Sequence, residues 1–168
     1  MVNLAYINSL DSEKLKEDLL KCSGSRVWTE DLQGQRPFSS AEELERKSSA
    51  AWKKLTHKDW LEAFAHHPKI GDLESLRKKF ATTANWASNE QSAMSSASEQ
   101  IIKKLAVGNE QYQDKFGYIF IVCATGKTAP EMLCLLEERL ANTPEVEFEI
   151  ACREQQKITQ LRLEKLTP

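Results

Sequence analysis

The sequence predicts an all-α fold: a single domain over residues 1–168 carrying about seven to nine helices. Three observations predict it. Apolar residues recur at helical spacing through most of the chain. Ser or Thr followed three residues later by an acidic side chain marks helix starts at several places. Only one run, YIFIVCA at 118–124, has the β-branched, apolar content of a strand, and a lone strand finds no partner elsewhere.

The elements follow in order. DSEKLKEDLLKC (11–22) carries Leu15, Leu19 and Cys22 on one face, and Gly24 stops it. SSAEELERKSSAAWKKL (39–55) opens with two overlapping capping boxes, Ser39 with Glu42 and Ser40 with Glu43. THKDWLEAFAHH (56–67) has Thr56 as its cap and turns Trp60, Leu61 and Phe64 inward; Pro68 ends it by removing an amide and biasing His67 out of the α region. DLESLRKKF (72–80) is a short helix. SNEQSAMSSASEQIIKKLAVGNEQYQDKF (88–116) is one long helix, or two with a bend near Ser95 and Ser96. The 118–124 run is read as a buried extended segment or a helix start. Thr128 and Glu131 form a further capping box around Pro130, opening APEMLCLLEERLAN (129–142). Thr143 and Pro144 open the last helix, which runs to about Leu166 with Val146, Ile150, Ile158, Leu161 and Leu163 on its buried side.

Composition excludes several classes. With 40% hydrophobic and 29% charged residues the chain is an ordinary globular one. A net charge of -2 offers no field to recruit nucleic acid. No apolar run approaches the roughly 20 residues that span a bilayer, so no membrane is expected. Cys22, Cys123, Cys134 and Cys152 form no C-x-x-C pair and stand beside no histidine, so no metal site is expected. They read as buried small hydrophobes in a reducing, cytoplasmic setting. The first residues are too acidic, and too short in apolar length, for a signal peptide.

Chemistry gathers at few places. AHHPKIGD (65–72) sets two of the three histidines at a helix end, against Pro68 and Gly71. Free carbonyls at such an end favour a protonated imidazole, and a histidine there can exchange a proton near neutral pH. Equally, the pair can be ordinary helix trim. In WASNEQ (86–91), Glu90 beside Gln91 can read a planar ligand rich in N–H groups, or can simply form the first turn of a helix capped by Ser88. Arg162 interrupts the apolar stripe of the last helix; it can grip an anion or face solvent, and Arg36 invites the same two readings.

Taken together, NSL (8–10), RPF (36–38), HPKIGD (67–72), EQS (90–92), YQDKFGYIFIVCATGK (112–127) and ITQLRLEKL (158–166) resemble the 2-oxo-4-hydroxy-4-carboxy-5-ureidoimidazoline (OHCU) decarboxylase family over essentially the whole chain. The resemblance implies an all-helical homodimer with no metal and no organic cofactor. It implies a small-molecule substrate, the ureidoimidazoline derived from urate, converted to S-allantoin with loss of carbon dioxide. It implies His67, Glu90 and Arg162 as catalytic residues. Pro68, Gln91, Phe116, Phe120, Ile121, Val122, Cys123 and Ala124 would bind substrate, the 120–124 stretch through its backbone. The family often has serine where this chain has Ala87, and Ser88 is the residue able to supply that hydrogen bond; it often has glycine where this chain has Ala93. The C-terminal KLTP is not a peroxisomal address. A helical interaction module without turnover is the competing reading, motivated by four tryptophans and the amphipathic helices.

Overall fold

The structure, a computed structural model, describes residues 2–67, 73–81 and 91–167, with side chains described except at 79–81 and 91–97. Among these residues there are nine helices and no strand, so the chain is all-α. They are α1 (Leu4–Ser9), α2 (Ser12–Ser23), α3 (Arg26–Gln33), α4 (Ala41–Trp52), α5 (His57–Ala65), α6 (Leu73–Ala81), α7 (Gln91–Phe116), α8 (Ala129–Leu140) and α9 (Pro144–Glu164). Contacts divide the chain into two units. The first comprises Met1–His67, Ile121–Cys123 and Ile150–Pro168; the second comprises Pro68–Phe120 and Ala124–Glu149.

In the first unit α1 and α3 were not anticipated from the sequence. Each is short and each begins on a polar cap: Asn3 accepts from the Tyr6 N–H at 3.0 Å, and Ser25 from the Trp28 N–H at 3.3 Å. α3 buries Trp28, Thr29 and Leu32 on one face. The α2 start is capped by Asp11 and its end by Gly24 in the left-handed region at φ 71°. At α4 the Ser40–Glu43 pairing is as expected, while Ser39 pairs one position later than expected. Ser40 accepts from the Glu43 N–H, but Ser39 gives its N–H (2.7 Å) and Oγ–H (2.5 Å) to Glu43 rather than to Glu42. Thr56 and Asp59 close a full capping box on α5.

The core of this unit is an aromatic row. Trp28 and Trp52 lie 5.4 Å apart between ring centroids, Trp52 and Trp60 stack at 4.5 Å, and Trp60 meets Phe64 at 6.3 Å. All four rings are buried. Trp28, Trp52 and Trp60, committed to a core, are unavailable as a partner surface, which weakens the motive for the interaction-module reading; the fourth tryptophan, Trp86, lies outside the described residues. Arg36 is likewise structural: its guanidinium donates to the Leu10 carbonyl. Asn8 and Phe38 exchange reciprocal hydrogen bonds of 2.8 and 3.0 Å. The NSL and RPF stretches thus tie the α1–α2 corner to the loop before α4.

In the second unit α6 and α7 are joined by the Arg77–Glu99 ion pair. α7 is one helix of 26 residues, with no break at Ser95 and Ser96. It ends at Gly117, whose φ of 79° needs no side chain. The 118–124 run is neither strand nor helix but irregular backbone, with Tyr118 and Ile121 buried. α8 opens as expected on the Thr128–Glu131 capping box with Pro130 in its first turn. A buried cluster then forms around Glu147. Tyr112 donates its hydroxyl hydrogen to Glu147, Arg139 donates to it at 2.7 and 2.5 Å, and Asn142 at 2.8 Å. Arg139 also lies over the Phe120 ring at 4.6 Å, a contact that helps to hold this run.

The buried stripe of α9 differs from expectation. Its fully buried positions are Glu147, Ala151, Gln155, Thr159 and Leu163, one every fourth residue. Of the predicted apolar set only Leu163 is fully buried; Val146 is 49% exposed. Charge and amide groups can occupy a helix core face when each polar atom finds a partner, and here they do. The cysteines also differ: all four are free thiols, but only Cys22 is buried, Cys123 and Cys152 are half-buried, and Cys134 is exposed.

Candidate active site

The C-terminus of α2 sets the geometry. A helix ends with carbonyls that lack intrahelical partners. In α2 they are served by side chains of α9, far away in sequence. The Leu20 carbonyl accepts from the Gly24 N–H at 2.7 Å. The Lys21 and Cys22 carbonyls each accept from Arg162 NH1 at 3.2 Å. Cys22 also accepts from the Thr159 hydroxyl at 3.4 Å, and Ser23 accepts from Gln155 Nε2 at 3.0 Å. Positive charge at a helix C-terminus is favourable, so Arg162 has both a dipole and two carbonyls to hold it.

α5 ends against the same corner. A Cβ placed on Gly24 would sit 2.5 Å from His66 Cβ and 3.0 Å from the Ala63 carbonyl oxygen, so only glycine lets α5 approach this closely. The approach delivers His67, one residue beyond the helix cap His66, to the α9 side chains. His67 Nε2 lies 2.6 Å from Gln155 Oε1, and His67 Nδ1 lies 3.4 Å from Arg162 NH2. The imidazole is half-buried.

Electrostatics at His67 differ from the expectation of a protonated helix-end histidine. Burial is the largest influence and pushes the pKa below its ordinary 6.5. The hydrogen bond to Gln155 works upward, while the charges of Arg162 and His66 work downward. Desolvation outweighs the helix end, and the ring is neutral at pH 7. The neighbouring Cys22 thiol is pushed up to about 12, chiefly by burial, and is no nucleophile.

Of the residues expected at a site, His67 and Arg162 are brought together. Pro68, Ala87, Ser88 and Glu90, with Gly71, lie outside the described residues. Gln91 is the first residue of α7, and its side chain lies outside the described ones. Ile121, Val122 and Cys123 belong to the unit that holds His67 and Arg162, whereas Phe116, Phe120 and Ala124 belong to the other. The Cys123 N–H is engaged by Glu154 at 2.7 Å, whose other oxygen meets Lys157 at 2.6 Å. Sequence reasoning missed Gln155 and Thr159. Their signal is the four-residue spacing of polar side chains on α9, which in a sequence looks the same as a solvated face.

The corner can do three things chemically. It presents a neutral imidazole able to accept a proton. It presents a guanidinium whose NH1 is anchored and whose NH2 faces the imidazole. It keeps both partly out of water, where charge interactions strengthen. Among the described residues no three His, Cys, Asp or Glu side chains come together as a metal-binding set.

Residues 8–164 match the family model described as OHCU decarboxylase. The chain is 40% identical over 147 residues to the uric acid degradation bifunctional protein TTL of Arabidopsis thaliana, a match covering 86% of this chain and 45% of that protein. It thus spans less than half the length of that relative. It is 25% identical over 163 residues to a 2-oxo-4-hydroxy-4-carboxy-5-ureidoimidazoline decarboxylase of Haloferax volcanii, covering 96% of this chain and 94% of that one. A crystal structure of an OHCU decarboxylase in the presence of (S)-allantoin superposes with a TM-score of 0.70 at 37% identity, covering 88% of this chain and 96% of the other. With a family model spanning nearly its full length, and with this fold, the chain belongs to the OHCU decarboxylase family.

Proposed function

We propose that this chain converts 2-oxo-4-hydroxy-4-carboxy-5-ureidoimidazoline to S-allantoin and carbon dioxide, with residues 1–168 serving as one domain. The observation that carries the reading is the 3.4 Å approach of Arg162 to a neutral His67 in a member of this family. The substrate supplies its own electron sink, because an imine adjoins the carbon that loses carbon dioxide. The bond to the carboxylate breaks, its electron pair forms a new double bond towards the imine carbon, and the imine pair moves onto nitrogen. His67 takes the proton of the substrate hydroxyl, which becomes a carbonyl, while the former imine nitrogen takes up a proton and a second proton is delivered to the former imine carbon on one face. One proton is taken up overall.

Arg162 is the group for the substrate's anionic oxygen. Its NH1 is spent on two carbonyls, so NH2 is the end that turns to a ligand. When it does, Nδ1 of His67 is released to act as base, which makes base rather than acid the first role of this imidazole. Glu90 accepts hydrogen bonds from ring or ureido N–H groups, and Gln91 reads the ureido end. The family resemblance supports Pro68, Ala87 or Ser88, Phe116 and the backbone of 120–124 as further substrate contacts. The chain works as a cytoplasmic homodimer; the wide spacing of its cysteines supports the reducing compartment, and the family resemblance supports the dimer.

The test is direct. Substrate is made freshly from urate, and its absorbance decay and the optical activity of the product are followed with and without the chain. Faster decay with an excess of S-allantoin is expected. Decay at the spontaneous rate to racemic product would overturn the reading.

A further inference from the structure

We infer that Gln155 is a positioning residue that holds His67 in its Nε2-protonated tautomer and so makes Nδ1 the atom that exchanges a proton with the ligand. The inference rests on the proposed proton transfer for its purpose, but not for its geometry. Gln155 is fully buried on α9, and each end of its amide is committed. The Ser23 carbonyl can only accept, and it stands 3.0 Å from one end, so that end is the NH2 group. The Thr159 hydroxyl, 3.4 Å from the same nitrogen, accepts as well. The other end is therefore the carbonyl oxygen. An amide oxygen can only accept, so the ring nitrogen 2.6 Å away must carry the hydrogen. Reversing the amide would set its oxygen against the Ser23 oxygen and its NH2 against the ring.

A second observation reaches the same tautomer from the opposite side. Arg162 has donors only, and its NH2 faces Nδ1 at 3.4 Å. An Nδ1–H would meet a donor head-on. The ring is therefore boxed between an acceptor on Nε2 and a donor on Nδ1, an arrangement that suits the neutral Nε2–H tautomer and neither the other tautomer nor imidazolium. Among the described residues, the groups that act on its charge are Arg162 from α9 and the adjoining His66 after α5, and both disfavour imidazolium. Polar groups this deeply buried stay only when paired, and Ser23, Thr159 and Gln155 supply hydrogen-bond partners to one another. The role is that of the orienting partner behind a catalytic histidine, filled here by an amide rather than a carboxylate.

The experiment uses the full chain labelled with 15N-histidine. Two-bond 1H–15N correlations at pH 8 report the tautomer of each ring, and His67→Asn identifies the His67 signals. The wild type is expected to show protonated Nε2 and bare Nδ1 at His67; protonated Nδ1 would overturn the inference. Gln155→Leu is expected to mix the tautomers and to lower kcat roughly tenfold or more while KM moves little. Gln155→Glu keeps an acceptor on Nε2 but stabilises imidazolium, so the acid limb of the rate profile moves up by about one pH unit. An unchanged tautomer and unchanged kcat in Gln155→Leu would also overturn it. The wild-type spectrum needs no variant to fold. It also needs no substrate, so a chain that forms no S-allantoin refutes the proposed function, while the spectra alone judge the tautomer.

Discussion

Replacing Gly24 with Ala tests whether one close approach positions the site. Two costs are expected. The left-handed φ of 71° costs a non-glycine residue roughly 1–2 kcal/mol. The new Cβ would also lie 2.5 Å from His66 Cβ and 3.0 Å from backbone oxygen, where no flexible side-chain tip can yield. Forcing α5 away adds overpacking of about 1–3 kcal/mol, for a total near 3 kcal/mol. Gly117 is the internal control: its φ is 79°, but nothing lies within 4 Å of its added Cβ, so Gly117→Ala should show the backbone cost alone. Urea unfolding of both variants measures the difference. Gly24→Ala should unfold at a midpoint about 1–2 M lower than wild type, and Gly117→Ala at about half that shift. Because the clash falls on His66, Gly24→Ala should also slow turnover in folded protein. Equal losses for the two variants would refute the claim that α5 is seated by this contact.

The remaining predictions are briefer. The acid limb of the rate profile should fall below pH 6.5, since burial holds His67 below that ordinary value; a limb above 6.5 would mean an imidazolium in the resting site. The sign for stability is the same. The unfolded chain binds the His67 proton first, so this residue's contribution is full above pH 6.5 and is lost as the pH falls through the folded pKa; His67→Phe should remove that part of the dependence in unfolding titrations. Arg162→Lys loses the fork that reaches two carbonyls and an anion together, and kcat/KM should drop roughly 10- to 100-fold, mostly through KM. Glu147→Ala leaves Arg139 buried without its carboxylate partner and should cost about 3–5 kcal/mol in denaturant unfolding; a loss under 1 kcal/mol would contradict the cluster's role.

Much of this molecule was legible because capping chemistry is local. Thr56, Thr128 and Gly24 mark helix ends through atoms within four residues, and the structure bears them out. α3 escaped notice because it is short, although Ser25 ahead of Trp28 and Leu32 carries the signal in a weak form. The face of α9 misled for a different reason. Hydrophobic patterning assumes that buried means apolar, yet Glu147, Gln155 and Thr159 are buried because distant carbonyls, a hydroxyl and a guanidinium need them. No local spacing encodes a partner more than 130 residues away. For the same reason His67 and Arg162 could be nominated from the resemblance, whereas the amide behind the imidazole could not. The protonation of His67 was misjudged because a helix end is visible in sequence and burial is not.

The most direct measurement compares wild type with His67→Asn in the assay that generates the ureidoimidazoline from urate, following optical activity to completion. Wild type should give S-allantoin faster than buffer, and the variant, with folding verified by its unfolding transition, should give racemic allantoin at the spontaneous rate. A variant that still delivers S-allantoin at the wild-type rate would contradict the central claim that this imidazole moves the proton.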